Sequence, residues 1–258
     1  MKFRMMALSA LVVMSVATPS LSQAQQGSSL AFNAALSSDY RYRGISQSRL
    51  KPALSAGLDY TLPEGFYIGA WASTIKWVKD AGGDAQLELD LYGGYKTELS
   101  KGMTLDVGLL QYVYPSARTP TFDALYKNPD TTEIYGALTV GPVTGKLSYA
   151  LSNLFGNYDF ARQKNSKGSM YFDLSANFEV GAGVVITPHI GHQKVENISN
   201  ASYTDYAITV SKDFSGFVLS AGLVGTDANK NFYIPGSAAN SSKFLGKTAA
   251  LLSLKYNF

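Results

Sequence analysis

A strict two-residue alternation of apolar and polar side chains, repeated along almost the whole chain, constrains its fold more than any other feature. On an extended strand successive side chains point to opposite faces. From Leu30 to Tyr42 the even positions read Leu30, Phe32, Ala34, Leu36, Ser38, Tyr40 and Tyr42, against Asn33, Ser37, Asp39, Arg41 and Arg43. The same pattern runs through Pro52 to Leu62 and Ala85 to Tyr95, where Leu87, Leu89 and Leu91 oppose Gln86, Glu88 and Asp90. It returns in Met170 to Phe178 and in Ala250 to Phe258. Weaker versions fill Phe66 to Ile75, Thr104 to Tyr114, Thr131 to Val140, Val143 to Leu151, Val184 to Gln193, Thr204 to Phe214 and Phe217 to Thr226. These segments predict twelve strands, each with one oily and one wet face.

The connections are of two kinds. Short turns at 62–65, 99–102, 141–142, 181–183 and 213–216 are rich in Gly, Pro, Ser and Asp, which set tight-turn dihedrals. Between them lie longer polar stretches at 44–51, 76–84, 115–130, 152–167, 194–202 and 227–244. Short turns at one end and long loops at the other predict a closed antiparallel transmembrane β-barrel with periplasmic turns and extracellular loops. Aromatic girdles are expected from Tyr60, Phe66, Tyr95, Phe178, Phe214, Phe217 and Phe258 at the turn end. Tyr40, Tyr42, Tyr112, Tyr114 and Trp77 are expected to supply the girdle at the loop end.

The first residues agree with export. Lys2 and Arg4 precede an apolar run from Met5 to Ala17 and a small-x-small site at Ser22-Gln23-Ala24, so residues 1–24 read as a cleaved signal peptide and 25–258 as the barrel. Loss of Lys2 and Arg4 takes the formal charge from +3 to +1, leaving no surplus for nucleic acid. The absence of cysteine excludes disulfides and thiolate chemistry. No apolar stretch of about 18 residues follows the leader, which excludes helical spans.

Polar side chains avoid the lipid face, so the wet face is assigned to the lumen: Asp39, Arg41, Arg43, Asp59, Glu88, Asp90, Asp106, Glu133, Asp173, His189 and Lys255. Asp39, Arg41 and Arg43 are expected to cluster near the loop-end mouth, with Glu88 and Asp90 as partners. The acidic excess predicts a weakly cation-preferring channel that is narrow and partly salt-bridged. The contrary expectation is that the same charges pair across the interior and fill it. The alternating Leu252, Leu254, Tyr256 and Phe258 resemble the terminal strand recognised by the barrel assembly machinery, which together with periplasmic chaperones is the expected partner during biogenesis.

No cofactor, metal site or catalytic centre is expected. His189 and His192 lie on opposite faces of one strand and make poor joint metal ligands. An outer-membrane esterase using His192 as base has no Gly-x-Ser-x-Gly elbow to support it.

Ser38-Asp39-Tyr40-Arg41-Tyr42-Arg43-Gly44-Ile45-Ser46-Gln47 resembles the opening motif of the TorF-type porins, the Gcw_chp family of exported proteins. Gly57-Leu58-Asp59-Tyr60, Gly65-Phe66-Tyr67-Ile68-Gly69, Glu88-Leu89-Asp90-Leu91-Tyr92-Gly93-Gly94-Tyr95 and Glu133-Ile134-Tyr135-Gly136 extend the similarity along nearly the whole mature chain. The resemblance implies an outer-membrane barrel and brings no substrate or catalytic residues. The expected function is passive diffusion of small hydrophilic solutes across outer-membrane lipid. The alternative is a non-conducting barrel with a structural or loop-mediated binding role. Oligomeric state is not legible.

Overall fold

A computed structural model describes residues 28–236, 239 and 241–258; the expected signal peptide lies outside the described residues. The barrel strands are β1 (Ser29–Ser37), β2 (Ala53–Thr61), β3 (Phe66–Thr74), β4 (Leu87–Ser100), β5 (Met103–Val113) and β6 (Thr131–Val140). They continue with β7 (Val143–Ala150), β8 (Met170–Ala176 with Phe178–Gly181), β9 (Val184–Lys194), β10 (Tyr203–Phe214), β11 (Phe217–Thr226) and β12 (Ala249–Asn257). Each strand pairs antiparallel with its sequence neighbours, and β12 returns to β1 in the register Asn33↔Asn257 to Ser37↔Ser253. This closes a twelve-stranded barrel, as the alternation predicts. Among the described residues, closure leaves the barrel wall without an edge strand, so its ladders are satisfied within the chain, as lipid requires.

The exterior is apolar. Leu36, Leu54, Ile68, Leu109, Leu219 and Leu252 are each at least half exposed, while Asn33, Ser37, Asp59, Ser211 and Ser253 on the opposite face are buried. So extensive an exposed apolar band is untenable in water but is the surface an outer-membrane barrel presents to hydrocarbon. The protein is therefore an integral barrel of the outer membrane. Leu109 sits beside Gly93 and Ile134 at mid-height. Leu109→Arg is expected to cost about 2–4 kcal/mol of stability in vesicles, and Val140→Arg at the turn end about 0–1. Denaturant titration of the vesicle-inserted barrel checks this; equal costs at the two heights would contradict a lipid-facing band.

The turn-end aromatics lie on this exterior: Phe66 packs on Tyr95 at 4.9 Å, Phe217 on Tyr256 at 4.4 Å and Tyr256 on Phe258 at 5.4 Å between ring centroids. The loop-end girdle is not where the sequence places it. Tyr40, Tyr42, Tyr112 and Tyr114 are buried, and Trp77 packs against that buried cluster. For Tyr40 and Tyr42 the reason is that β1 stops at Ser37, five residues earlier than the alternation suggests, while Tyr112 stands on the inward parity of β5 with Leu110. Residues 38–48 leave β1 and turn into the barrel, where alternation is satisfied by rings packing against the inner wall instead of lipid.

Candidate functional site

The inserted segment is built around a two-residue hairpin. Arg41 pairs with Ser46 and Tyr42 with Ile45, and the turn residues Arg43 and Gly44 have φ of 46° and 80°, the left-handed pair that a type I′ turn demands. A Cβ on Gly44 would come within 2.5 Å of Thr226 Cγ2 and 2.7 Å of Asp205 Cβ, so the tip presses on the β10–β11 wall and only glycine fits. Asp39 ties the two limbs together: it accepts from Arg41 Nε at 2.6 Å, Ser46 Oγ at 2.5 Å and Ser48 Oγ at 3.0 Å. Arg41, fully buried, also donates to the carbonyls of Gly44 (2.8 Å) and Lys247 (3.1 Å).

Arg43 pins the hairpin to the inner wall. Its guanidinium donates to Glu133 on β6 at 2.7 Å and to Gln193 on β9 at 2.5 Å, and lies over the rings of Tyr42 (4.7 Å) and Tyr171 (4.2 Å). Burial opposes its charge, but Glu133 and the surrounding tyrosines outweigh that and hold its pKa well above the ordinary arginine value. Tyr40 donates to Glu88 Oε1 at 2.5 Å and Tyr114 to Glu88 Oε2 at 2.6 Å. Burial first, then the charges of Glu88 and Asp90, push both hydroxyls well above the usual tyrosine range, so both remain donors. The expected pairing of the Asp39, Arg41 and Arg43 group with Glu88 and Asp90 is thus replaced. Arg41 bonds Asp39, Arg43 bonds Glu133, and Glu88 is served by tyrosines, while one oxygen of buried Asp90 has no donor among the described side chains.

A second cluster adjoins the tip. His189 presents Nε2 to Asp205 at 2.8 Å and Nδ1 to Asp173 at 3.1 Å. Each ring nitrogen thus faces a carboxylate, and the ring bridges β8 and β10. Tyr171 donates to Asp205 at 2.9 Å, and a Cβ on Gly191 would sit 2.0 Å from its hydroxyl, so this glycine makes room for the bond. The resulting chain runs Arg43, Tyr171, Asp205, His189, Asp173. Asp205 and Lys96 are absent from the sequence-derived set although both stand on the inward parity of their strands. Extending the alternation on β4 past Tyr95, and using the parity of β10, would find them.

Toward the turn end the lumen loosens. Asp59 accepts from Tyr92 at 2.6 Å and Asp106 from Tyr67 at 2.6 Å, and Lys146 lies 4.0 Å from the Tyr135 ring. Lys96, Asp106, Lys146 and Lys255 are half-buried, whereas Arg41, Glu88, Glu133 and Asp205 at the loop end are at most 2% exposed. The interior is therefore less tightly filled at the turn end, where Lys96, Asp106, Lys146 and Lys255 keep some exposure beside buried Asp59, Tyr67, Tyr92 and Tyr135, and closed at the loop end by residues 38–48. His192 faces outward and bonds Thr204 Oγ1 at 3.1 Å across the β9–β10 pair.

A family profile described as "Bacterial protein of unknown function (Gcw_chp)" matches residues 22–258. Among solved structures, the KdgM porin in complex with disordered oligogalacturonate superposes with a TM-score of 0.52 at 8% identity, covering 90% of this chain and 99% of the porin. The NanC porin gives 0.52 at 10% identity, covering 89% and 99%. At such identity the likeness concerns the fold. No curated protein matches.

Proposed function

The chain belongs to the Gcw_chp family, and from that membership and its porin-like barrel we propose that it is a narrow outer-membrane diffusion channel for small hydrophilic solutes, throttled by residues 38–48. The observation that carries the reading is the division of the interior: polar, half-buried groups line one half, and a separately folded hairpin held by side-chain bonds occupies the other. A filler that was merely core would be expected to be apolar. This one holds Asp39, Arg41, Ser46 and Ser48 in bonds to one another and reaches the wall through Tyr40 to Glu88 and Arg43 to Glu133 and Gln193.

Inward-facing acids (Asp39, Asp59, Glu88, Asp90, Asp106, Glu133, Asp173 and Asp205) outnumber the inward bases Arg41, Arg43, Lys96, Lys146 and Lys255 together with His189. This supports a weak preference for cations. It is tested by the reversal potential across a potassium chloride gradient; anion preference would refute it.

A second reading is a barrel that does not conduct, favoured by the near-zero exposure of Arg41, Glu88 and Glu133. Planar-bilayer recording separates the two. The wild type is expected to show small, discrete conductance steps, and Gly44→Val, which cannot seat the hairpin tip against Asp205 and Thr226, larger ones. Silence in both, with the barrel correctly folded, establishes the second reading.

A further inference from the structure

Above the hairpin, five of the six long loops line a cavity open to the exterior, whose space of about 840 Å³ includes the solvent at its mouth. We infer that this cavity is a binding site for a neutral sugar ring, a role that deepens the channel reading by naming the solute class admitted at the mouth.

Its walls are aromatic faces brought from distant parts of the sequence: Tyr42, Trp77, Tyr126, Phe155, Tyr203 and Tyr233. They are fixed against one another in edge-to-face pairs, Tyr42 with Phe155 at 5.2 Å, Trp77 with Tyr126 at 6.3 Å and Tyr203 with Tyr233 at 5.1 Å. Rings already held in place lose little freedom when a ligand stacks on them, which favours a flat, partly apolar partner.

Charge and hydrogen bonding narrow the class. Among the described residues the one carboxylate on the wall, Asp80, is taken by Arg49, whose Nε donates to Oδ2 at 2.8 Å. Arg43, which touches the wall through Tyr42 and Gln193, is neutralised by Glu133. A net-charged ligand therefore finds no uncompensated partner among the described residues of the wall, and its desolvation goes unrewarded. Gln47 gives one amide N–H to the Ile45 carbonyl and Asn157 one to that of Leu154, leaving each with its amide oxygen and a second N–H. Groups that both accept and donate suit a ligand bearing hydroxyls. A ring that is neutral, has an apolar face and carries hydroxyls around its edge is a pyranose.

The chain contains two tryptophans, and Trp71 is not on this wall, so Trp71→Phe leaves Trp77 as the sole tryptophan reporter inside the cavity. The full-length barrel in a detergent without a sugar headgroup is titrated with methyl β-D-glucopyranoside while Trp77 emission is followed. A saturable change at millimolar glucoside is expected. It should persist in Tyr233→Phe, which keeps the ring, and weaken at least tenfold in Tyr233→Ala or in Phe232→Ala, whose ring also lines the cavity, 5.0 Å from that of Tyr233. Should one alanine variant fail to fold, the other carries the comparison. Glucuronate is expected to bind more weakly than the glucoside. A linear, unsaturable response, equal affinity in the alanine variants, or tighter binding of glucuronate would overturn the assignment. Binding is read without ion flow: saturation in a silent barrel removes the channel and keeps the site, and conductance without saturation does the reverse.

Discussion

Arg43→Ala is expected to raise the single-channel conductance severalfold and to lower stability by about 3–5 kcal/mol, the cost of stranding one member of a buried ion pair. Glu133 is 2% exposed and Arg43 is its ion-pair partner, while Gln193 loses a donor and Tyr171 its cation in the same substitution. The hairpin keeps its internal staple through Asp39, so it is expected to swing from the wall as a unit rather than unfold. Removing both charges in Arg43→Met/Glu133→Gln should recover most of the stability, since no uncompensated charge remains, and leave the conductance high because the pin is still absent. Bilayer recording and urea titration of the same preparations check both halves. A stability loss with unchanged conductance would show that the hairpin does not throttle the lumen.

The second large effect is expected at Asp205, which is fully buried and serves His189 and Tyr171 at once. In Asp205→Ala the His189 ring is left with Asp173 alone, and the Tyr171 hydroxyl loses its acceptor. Each buried polar group stranded in this way costs about 1–3 kcal/mol. The ring of Tyr171 is the platform on which Arg43 rests, so conductance should also rise, though less than in Arg43→Ala. Because both substitutions act on one connected network, the double variant Arg43→Ala/Asp205→Ala should lose clearly less than the sum of the two. A strictly additive cycle in denaturant would place the histidine cluster outside the mechanism that holds the hairpin.

The lesson of the loop end lies in Tyr40 and Tyr42. Alternation states that a residue has two faces in different surroundings, and it does not state which surroundings. A strand running up a lipid-facing wall and a hairpin folded inside a lumen give the same string of aromatic and charged residues. Hence the girdle reading failed at Tyr40, Tyr42, Tyr112 and Tyr114, which line the filled half, and held no contradiction at Phe66, Phe217 and Phe258. Lys96 escaped notice for a different reason, because glycines at 93 and 94 interrupt the pattern just where β4 continues.

What the amino-acid order determined unaided is the barrel: twelve strands, their inward and outward faces, and short turns opposite long loops. Side-chain periodicity is a local property, and closure follows from pairing each strand with its neighbour in sequence. What tertiary structure alone decided is the interior. Whether Arg43 meets Glu88 or Glu133, whether residues 38–48 rise from the barrel or sink into it, and which rings from five loops face one cavity all depend on contacts between positions tens to nearly two hundred residues apart. No local pattern encodes such pairings, because many arrangements bury the same charges with the same number of partners, and the geometry of the closed wall selects among them.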